Sequence, residues 1–239
     1  MKPTFRTLMP TALLMLGFAV SSQAQTPLYD IQFANPFSGD PDHPQTGAAV
    51  IGSSGDVWNY ATNFNFTLNT GSMALANTSG SLTSATITYG GLGLDSNTAN
   101  GFSSTAYAGL MSGYLFLYTG GPATISITGL NALSTYTIYL YTQGDNTADG
   151  RQLAATTGLS SLTAAPTDEN ASTFIAGQNY LVLSGETDGS GTLGLTYSIA
   201  ADEADINGLQ IFEAAPAPEP STYALALAGA SLLFYRRRK

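Results

Sequence analysis

Apolar and polar residues alternate with a period of two through most of the middle of the chain. The pattern is plain in Asn63 to Leu68 (NFNFTL), Ala85 to Tyr89 (ATITY), Ala123 to Thr128 (ATISIT) and Thr135 to Tyr141 (TYTIYLY). It recurs in Asn179 to Leu183 (NYLVL), Thr192 to Ile199 (TLGLTYSI) and Ile206 to Phe212 (INGLQIF), with weaker examples at Leu28 to Ala34 and Ala48 to Ile51. A period of two puts successive side chains on opposite faces of a strand, and Thr, Tyr, Ile, Leu and Phe suit a half-buried pleated surface. Gly, Asn, Asp and Ser clusters bound these runs as turns do, so the chain predicts about nine short strands. The one helical pattern is Ser103 to Leu115, where Tyr107, Leu110, Met111 and Tyr114 recur at three- and four-residue spacing. Short strands joined by turn-rich loops predict an all-β fold, an antiparallel β-sandwich of jelly-roll type rather than a closed barrel. No self-similar period of 20–50 residues points to a solenoid or propeller.

Both ends break this pattern. Lys2 and Arg6 precede the ten-residue apolar run Thr11 to Val20, and Ser22-Gln23-Ala24 offers small residues where a signal peptidase cuts. This predicts a secretory signal peptide over 1–24. At the other end Pro-rich Ala215 to Thr222 leads into the 13-residue apolar run Tyr223 to Tyr235, followed by Arg236, Arg237, Arg238 and Lys239. A cationic cluster after an apolar run stops transfer and stays on the cytoplasmic side. At 1.5 Å per residue the run covers about 20 Å against a hydrocarbon core of about 30 Å, which suits a short-lived transmembrane stop.

Charge follows the same division. The formal net charge of the chain is -9, but the segment 25–215 carries fifteen Asp and Glu against the single base Arg151. Nucleic acid is thereby excluded as a partner, because neutralising phosphates takes clustered Lys and Arg. The absence of cysteine removes disulfides, thiolate metal sites and thiol nucleophiles.

Pro218-Glu219-Pro220, the short apolar helix and the Arg236-Arg237-Arg238 cluster together resemble the PEP-CTERM sorting signal of Gram-negative bacteria, over about Pro216 to Lys239. That resemblance implies processing near Pro-Glu-Pro by an exosortase after signal peptidase has acted. It implies passage across the inner membrane, transient C-terminal anchoring there, and release to the outer surface or matrix, often beside exopolysaccharide production. The closing run Ala204 to Ile211 (ADINGLQI) resembles the last strand of galactose-binding-like sandwich domains. Thr46 to Gly52, Gly55 to Asn59 and Tyr139 to Asp145 (YLYTQGD) extend this more diffuse likeness. The organisation expected is a signal peptide at 1–24, a β-sandwich ectodomain at 25–215 and a sorting signal at 216–239.

Few residues in the ectodomain suggest chemistry. Gly189 to Gly194 matches GxGxxG, but Leu195 to Ile199 continues a strand where a dinucleotide site needs a helix, so it reads as a hairpin turn. His43, the only histidine, lies between prolines with Asp40 and Asp42, which favours an exposed loop over a metal site. No Gly-x-Ser-x-Gly elbow is present. The acids sit mostly in turns (Asp95, Asp145, Asp149, Asp188), where bonding to local backbone is their ordinary role. No catalytic residue and no cofactor is expected. A structural calcium ion on Asp145 and Asp149 is the weak metal alternative, since loop oxygens are what calcium takes. Gly129 to Thr137 reads as a corner in which the Tyr136 hydroxyl bonds nearby backbone.

Sugar recognition needs an aromatic platform with polar groups around it. Trp58, flanked by Asp56, Asn59 and Tyr60, and Arg151 are the ligand-binding candidates. Trp58 alternatively serves as a core residue at a strand start, and Arg151 as an ion-pair partner for nearby acids. The expected function is a non-enzymatic surface or matrix protein that binds carbohydrate such as exopolysaccharide. A purely structural surface or biofilm protein is the alternative, and a polysaccharide-active enzyme the third.

Overall fold

A computed structural model describes residues 28–35, 44–146 and 148–214. The signal peptide, the His43 loop and the sorting segment fall outside them. The strands are β1 Tyr29–Phe33, β2 Asn59–Ala61, β3 Phe64–Asn65, β4 Thr70–Ala76, β5 Leu82–Gly90, β6 Gly93–Ser96 and β7 Gly113–Leu117. After these come β8 Ala123–Thr128, β9 Thr135–Tyr141, β10 Gln152–Thr156 and β11 Ser161–Thr163. The last are β12 Tyr180–Glu186, β13 Leu193–Ala201, β14 Ala204–Ile206 and β15 Gly208–Glu213. A five-stranded sheet has the order β12-β9-β15-β1-β2, and a seven-stranded sheet the order β11-β10-β13-β8-β5-β4-β3. A three-stranded sheet, β14-β7-β6, completes the fold. Pairing is antiparallel throughout the named strands except between β1 and β2. The fold is therefore the all-β antiparallel sandwich that the alternation predicts.

The core lies where the alternating apolar rows meet. Ala85, Ile87 and Tyr89 of β5, Ile125 and Ile127 of β8, and Leu193, Leu195 and Tyr197 of β13 come from the larger sheet. Tyr136, Ile138 and Leu140 of β9, Ile31 and Phe33 of β1, and Leu209 and Ile211 of β15 join them from the smaller one. Each fully buried Ile or Leu contributes about 1.5–3 kcal/mol.

The two outer faces differ. In the five-stranded sheet β1 and β15 are buried on both faces, because a second cluster of Trp58, Phe102, Leu110, Met111 and Tyr141 covers the outside. Asp30, Gln32 and Gln210 lie beneath that cover and are hydrogen-bonded. Among the described residues the outer face of the seven-stranded sheet stays open and alternates with its core face, as in β5, where Ser84 and Thr88 are exposed.

Several local expectations change. The helix of Ser103 to Leu115 resolves into a 3-10 turn at Gly101–Ser104, a short α-helix α1 at Ala108–Ser112, and strand β7. Extended Gly113 ends α1, and Leu115 and Leu117 turn into the core. Ala48 to Ile51 forms no strand, since Gly47 and Gly52 on either side take φ of 77° and 104°, which break an extended run. Of Gly189 to Gly194 only residues 189–191 turn, with Asp188 Oδ1 accepting the Ser190 and Thr192 N–H groups at 2.8 and 2.9 Å, and Leu193 and Gly194 already belong to β13. The turn joins β12 and β13 in different sheets and so is not a hairpin, because these consecutive strands pair elsewhere. The Tyr136 corner forms as expected, its hydroxyl accepting the Asn131 N–H at 3.1 Å.

Candidate functional site

The structure places the sequence candidates in two regions. Trp58 is 4% exposed, donates its indole N–H to Gly47 O at 2.8 Å and packs beside Tyr141. Its ring has no open face for a sugar. Asp56 is buried and accepts from the Ser53 N–H (2.7 Å) and hydroxyl (2.6 Å), closing the loop that begins at Gly52. A Cβ at Gly52 would fall 2.3 Å from the Asp56 carboxylate, so this turn requires glycine. Asn59 ties β2 to its neighbours, donating to Asp30 O and Ala76 O and accepting the Ala76 N–H. Tyr60 is half-buried in the same strand. These side chains hold the cover of the five-stranded sheet in place.

Under that cover Asp30 sits fully buried. One carboxylate oxygen accepts from Gln210 Nε2 at 3.0 Å and the other has no partner. Gln210 continues the network to the Tyr141 hydroxyl and Ile51 O. Burial, opposed by the Gln210 bond and reinforced by the charge of Asp56, pushes the Asp30 carboxyl up to about 7. The folded chain thus holds a proton that the unfolded chain releases near pH 4, so stability falls as pH rises from about 4 through about 7. Asp30→Asn is expected to flatten this dependence by up to one proton, about 1.4 kcal/mol per pH unit. Urea midpoints between pH 4 and 8 check it, and an unchanged slope counts against it.

Arg151 occupies the second region. Its guanidinium faces Asp145, Glu203 (3.1 Å), Asp202 (3.7 Å), Asp149 (3.9 Å) and Asp205 (3.9 Å). The Arg151 side chain is 14% exposed and that of Asp205 1%. Both Asp205 oxygens are buried, Glu203 is the carboxyl beside them, and Gly144 lies so close that a Cβ would come within 2.2 Å of one of them. Burial, then the neighbouring Glu203, raises the Asp205 carboxyl well above its ordinary range, and burial raises that of Glu203. Asp145 and Asp149, the calcium candidates, therefore face an arginine. Among the described residues no group of three or more acidic, histidine or cysteine side chains converges as a metal site.

A third region escaped the sequence reading. Alternation in Asn63 to Leu68 predicts a strand, yet only Phe64–Asn65 is extended and the chain then turns. Asn65 Oδ1 accepts the N–H groups of Thr67 and Leu68 at 3.0 and 3.1 Å, and Asn69 takes φ of 52°. The two asparagines of NFTLN were the readable signal, since Asn both caps turns and tolerates the left-handed region. The turn opens a cleft of about 300 Å³ lined by Asn63, Asn65, Leu68, Thr70, Gly71, Ser72 and Thr88. Leu68 in this lining is 69% exposed, while Phe66, outside it, packs edge-on against Phe64 with ring centroids 5.1 Å apart and lies beside Gly93. Amides and hydroxyls around an exposed leucine make a surface matched to sugar hydroxyls and to the apolar face of a pyranose.

Comparison with known proteins adds the tail. Residues 216–239 match the PEP-CTERM protein-sorting motif, which implies a secreted, exosortase-sorted protein. No curated protein matches the chain. Among solved structures it is similar to a GH115 4-O-methyl-α-glucuronidase, BtGH115A, specific for decorated arabinogalactans. That likeness has 11% identity and a TM-score of 0.33 and covers 44% of this chain and 15% of that one. An exo-β-1,3-galactanase from Phanerochaete chrysosporium shares 16% identity at a TM-score of 0.31, covering 50% of this chain and 26% of its own. The CBM36-1 domain of a multidomain xylanase from the hindgut metagenome of Trinervitermes trinervoides shares 17% identity at a TM-score of 0.32, with 53% and 90% covered. The chain thus spans 15% and 26% of the lengths of the two enzymes.

Proposed function

We propose that this is a secreted surface or matrix protein whose sandwich binds polysaccharide at the Asn63–Thr88 cleft without transforming it. One observation carries the reading: the cleft is lined by the amides of Asn63 and Asn65 and the hydroxyls of Thr70, Ser72 and Thr88, with the exposed Leu68 among them. Hydrolysis of a glycosidic bond needs a proton donor and a base or nucleophile at the bond. The cleft lining includes no titratable side chain. The carboxylates that do cluster surround Arg151, and their most perturbed member, Asp205, is buried. Export by way of the sorting tail would bring the domain to polysaccharide at the cell exterior. Burial of Trp58 favours a second reading, a structural surface protein with no ligand site.

A glycan array probed with the full chain separates the two. Binding is expected, with Leu68→Ala weakening it about tenfold, the loss of about 1.4 kcal/mol of apolar contact. Equal binding by wild type and Leu68→Ala removes the cleft, and an empty array favours the structural role.

A further inference from the structure

The cleft is one end of a larger surface. Ser72 and Thr88 in its lining pair across β4 and β5, and the same row continues to Ser126 on β8 and Gly194 on β13. Thr70 begins a second row, through Gly90, Thr124 and Thr196 to Thr156 on β10. Ala74, Thr86 and Thr128 form a third. All lie exposed or half-exposed on the uncovered face of the seven-stranded sheet. Rows of this kind present a hydroxyl, a methyl or bare backbone about every 4.8 Å across the strands and about every 6.7 Å along them. Where hydroxyls already donate, as Ser72 does to Ile87 O and Thr70 to Tyr89 O, their lone pairs still accept.

We infer that the ligand is an uncharged, extended polysaccharide chain that enters at the cleft and runs across this hydroxyl-covered sheet face. The inference rests on the cleft reading and adds the ligand's charge and length. Charge decides against an acidic polymer: the segment 25–215 has fifteen acids and one base, and that base is held among five carboxylates. A polyuronate approaching the face would meet like charge and find no cation in the three rows. The rows also lack the aromatic and large apolar centre on which protein partners dock. A chain of sugars, by contrast, exchanges hydroxyl contacts with water at little cost and gains from many weak contacts in register.

Affinity electrophoresis of the full chain through gels containing soluble β-glucan, galactan or arabinoxylan, against gels containing alginate or polygalacturonate, tests the inference. Retardation by at least one neutral polymer and by neither polyuronate is expected. Thr124→Asp, on the second row beyond the cleft, is expected to weaken polymer binding at least tenfold while leaving binding of the matching disaccharide within twofold. Thr124→Val, which keeps the shape and removes the hydroxyl, is expected to fall between, with circular dichroism confirming the fold of both. Loss of disaccharide and polymer alike in Leu68→Ala, with full polymer binding in both Thr124 variants, overturns the extended-chain inference and keeps the cleft. Preferential retardation by a polyuronate overturns the assignment of charge, and no retardation by any polymer overturns both.

Discussion

Replacing Arg151 with glutamine is expected to cost about 3–5 kcal/mol of stability at pH 8, the usual cost of leaving a buried charge without its partner. The cause is local. Five carboxylates converge on one guanidinium, and Asp205 has both oxygens buried beside Glu203. Without the cation, desolvation and mutual repulsion act on the group unopposed. The deficit should shrink at lower pH. Glu203 and Asp205 titrate above their ordinary range in the fold, so the folded state binds their protons more tightly than the unfolded chain does. Stability from those protons is present near the unfolded value of about 4 and is lost as pH rises through the raised folded values. Removing Arg151, whose charge lowers both, widens that window. Urea unfolding of Arg151→Gln at pH 5 and pH 8 measures this, and a deficit below 1 kcal/mol at pH 8, a floor set by exposed ion pairs, would contradict it.

The second large effect lies at the tail. Changing Glu219 to Gln together with Arg236, Arg237 and Arg238 to Ser is expected to abolish surface delivery. The Arg cluster is expected to hold its end of the apolar run on the cytoplasmic side, and an apolar run of about 20 Å to anchor weakly without it. Pro218-Glu219-Pro220 is where processing is expected to act, so the variant should leave no cleaved, surface-exposed product. Protease shaving of intact cells followed by immunoblotting measures the outcome. Wild-type amounts of processed surface protein in the variant would refute the role of the tail.

The parts of this molecule that were legible from its residues share a physical cause. Strands with one face in the core and one in water write their period into the sequence, so Ala123–Thr128 and Thr135–Tyr141 are read to the residue. Strand β7 has nearly every position buried and carries no such period, so its residues passed for the end of a helix. The candidate site shows the same limit. Trp58 looked like a platform because it follows a Gly-rich loop, but that loop folds back over it, and the contacts responsible, such as Trp58 Nε1 to Gly47 O, are tertiary. Arg151 was legible as an ion-pair partner, since one base among many acids finds them. Convergence of Asp202, Glu203 and Asp205 with Asp145 and Asp149 depends on β10 lying beside β13, which pairs over a long separation. The cleft was hidden by an alternation that turns at Asn65.

The central claim is that sugar binds at the cleft and its adjoining sheet face. An NMR titration of the amide-labelled full chain, solubilised in detergent, with the oligosaccharide that ranks first on the array tests it most directly. The account predicts shifts concentrated at Asn63 to Ser72, Thr86 to Gly90 and Thr124 to Thr128, with little change around Trp58 and Arg151. Shifts centred instead on the loop Gly47 to Trp58, or on Asp145 to Arg151 and Asp202 to Asp205, would contradict it.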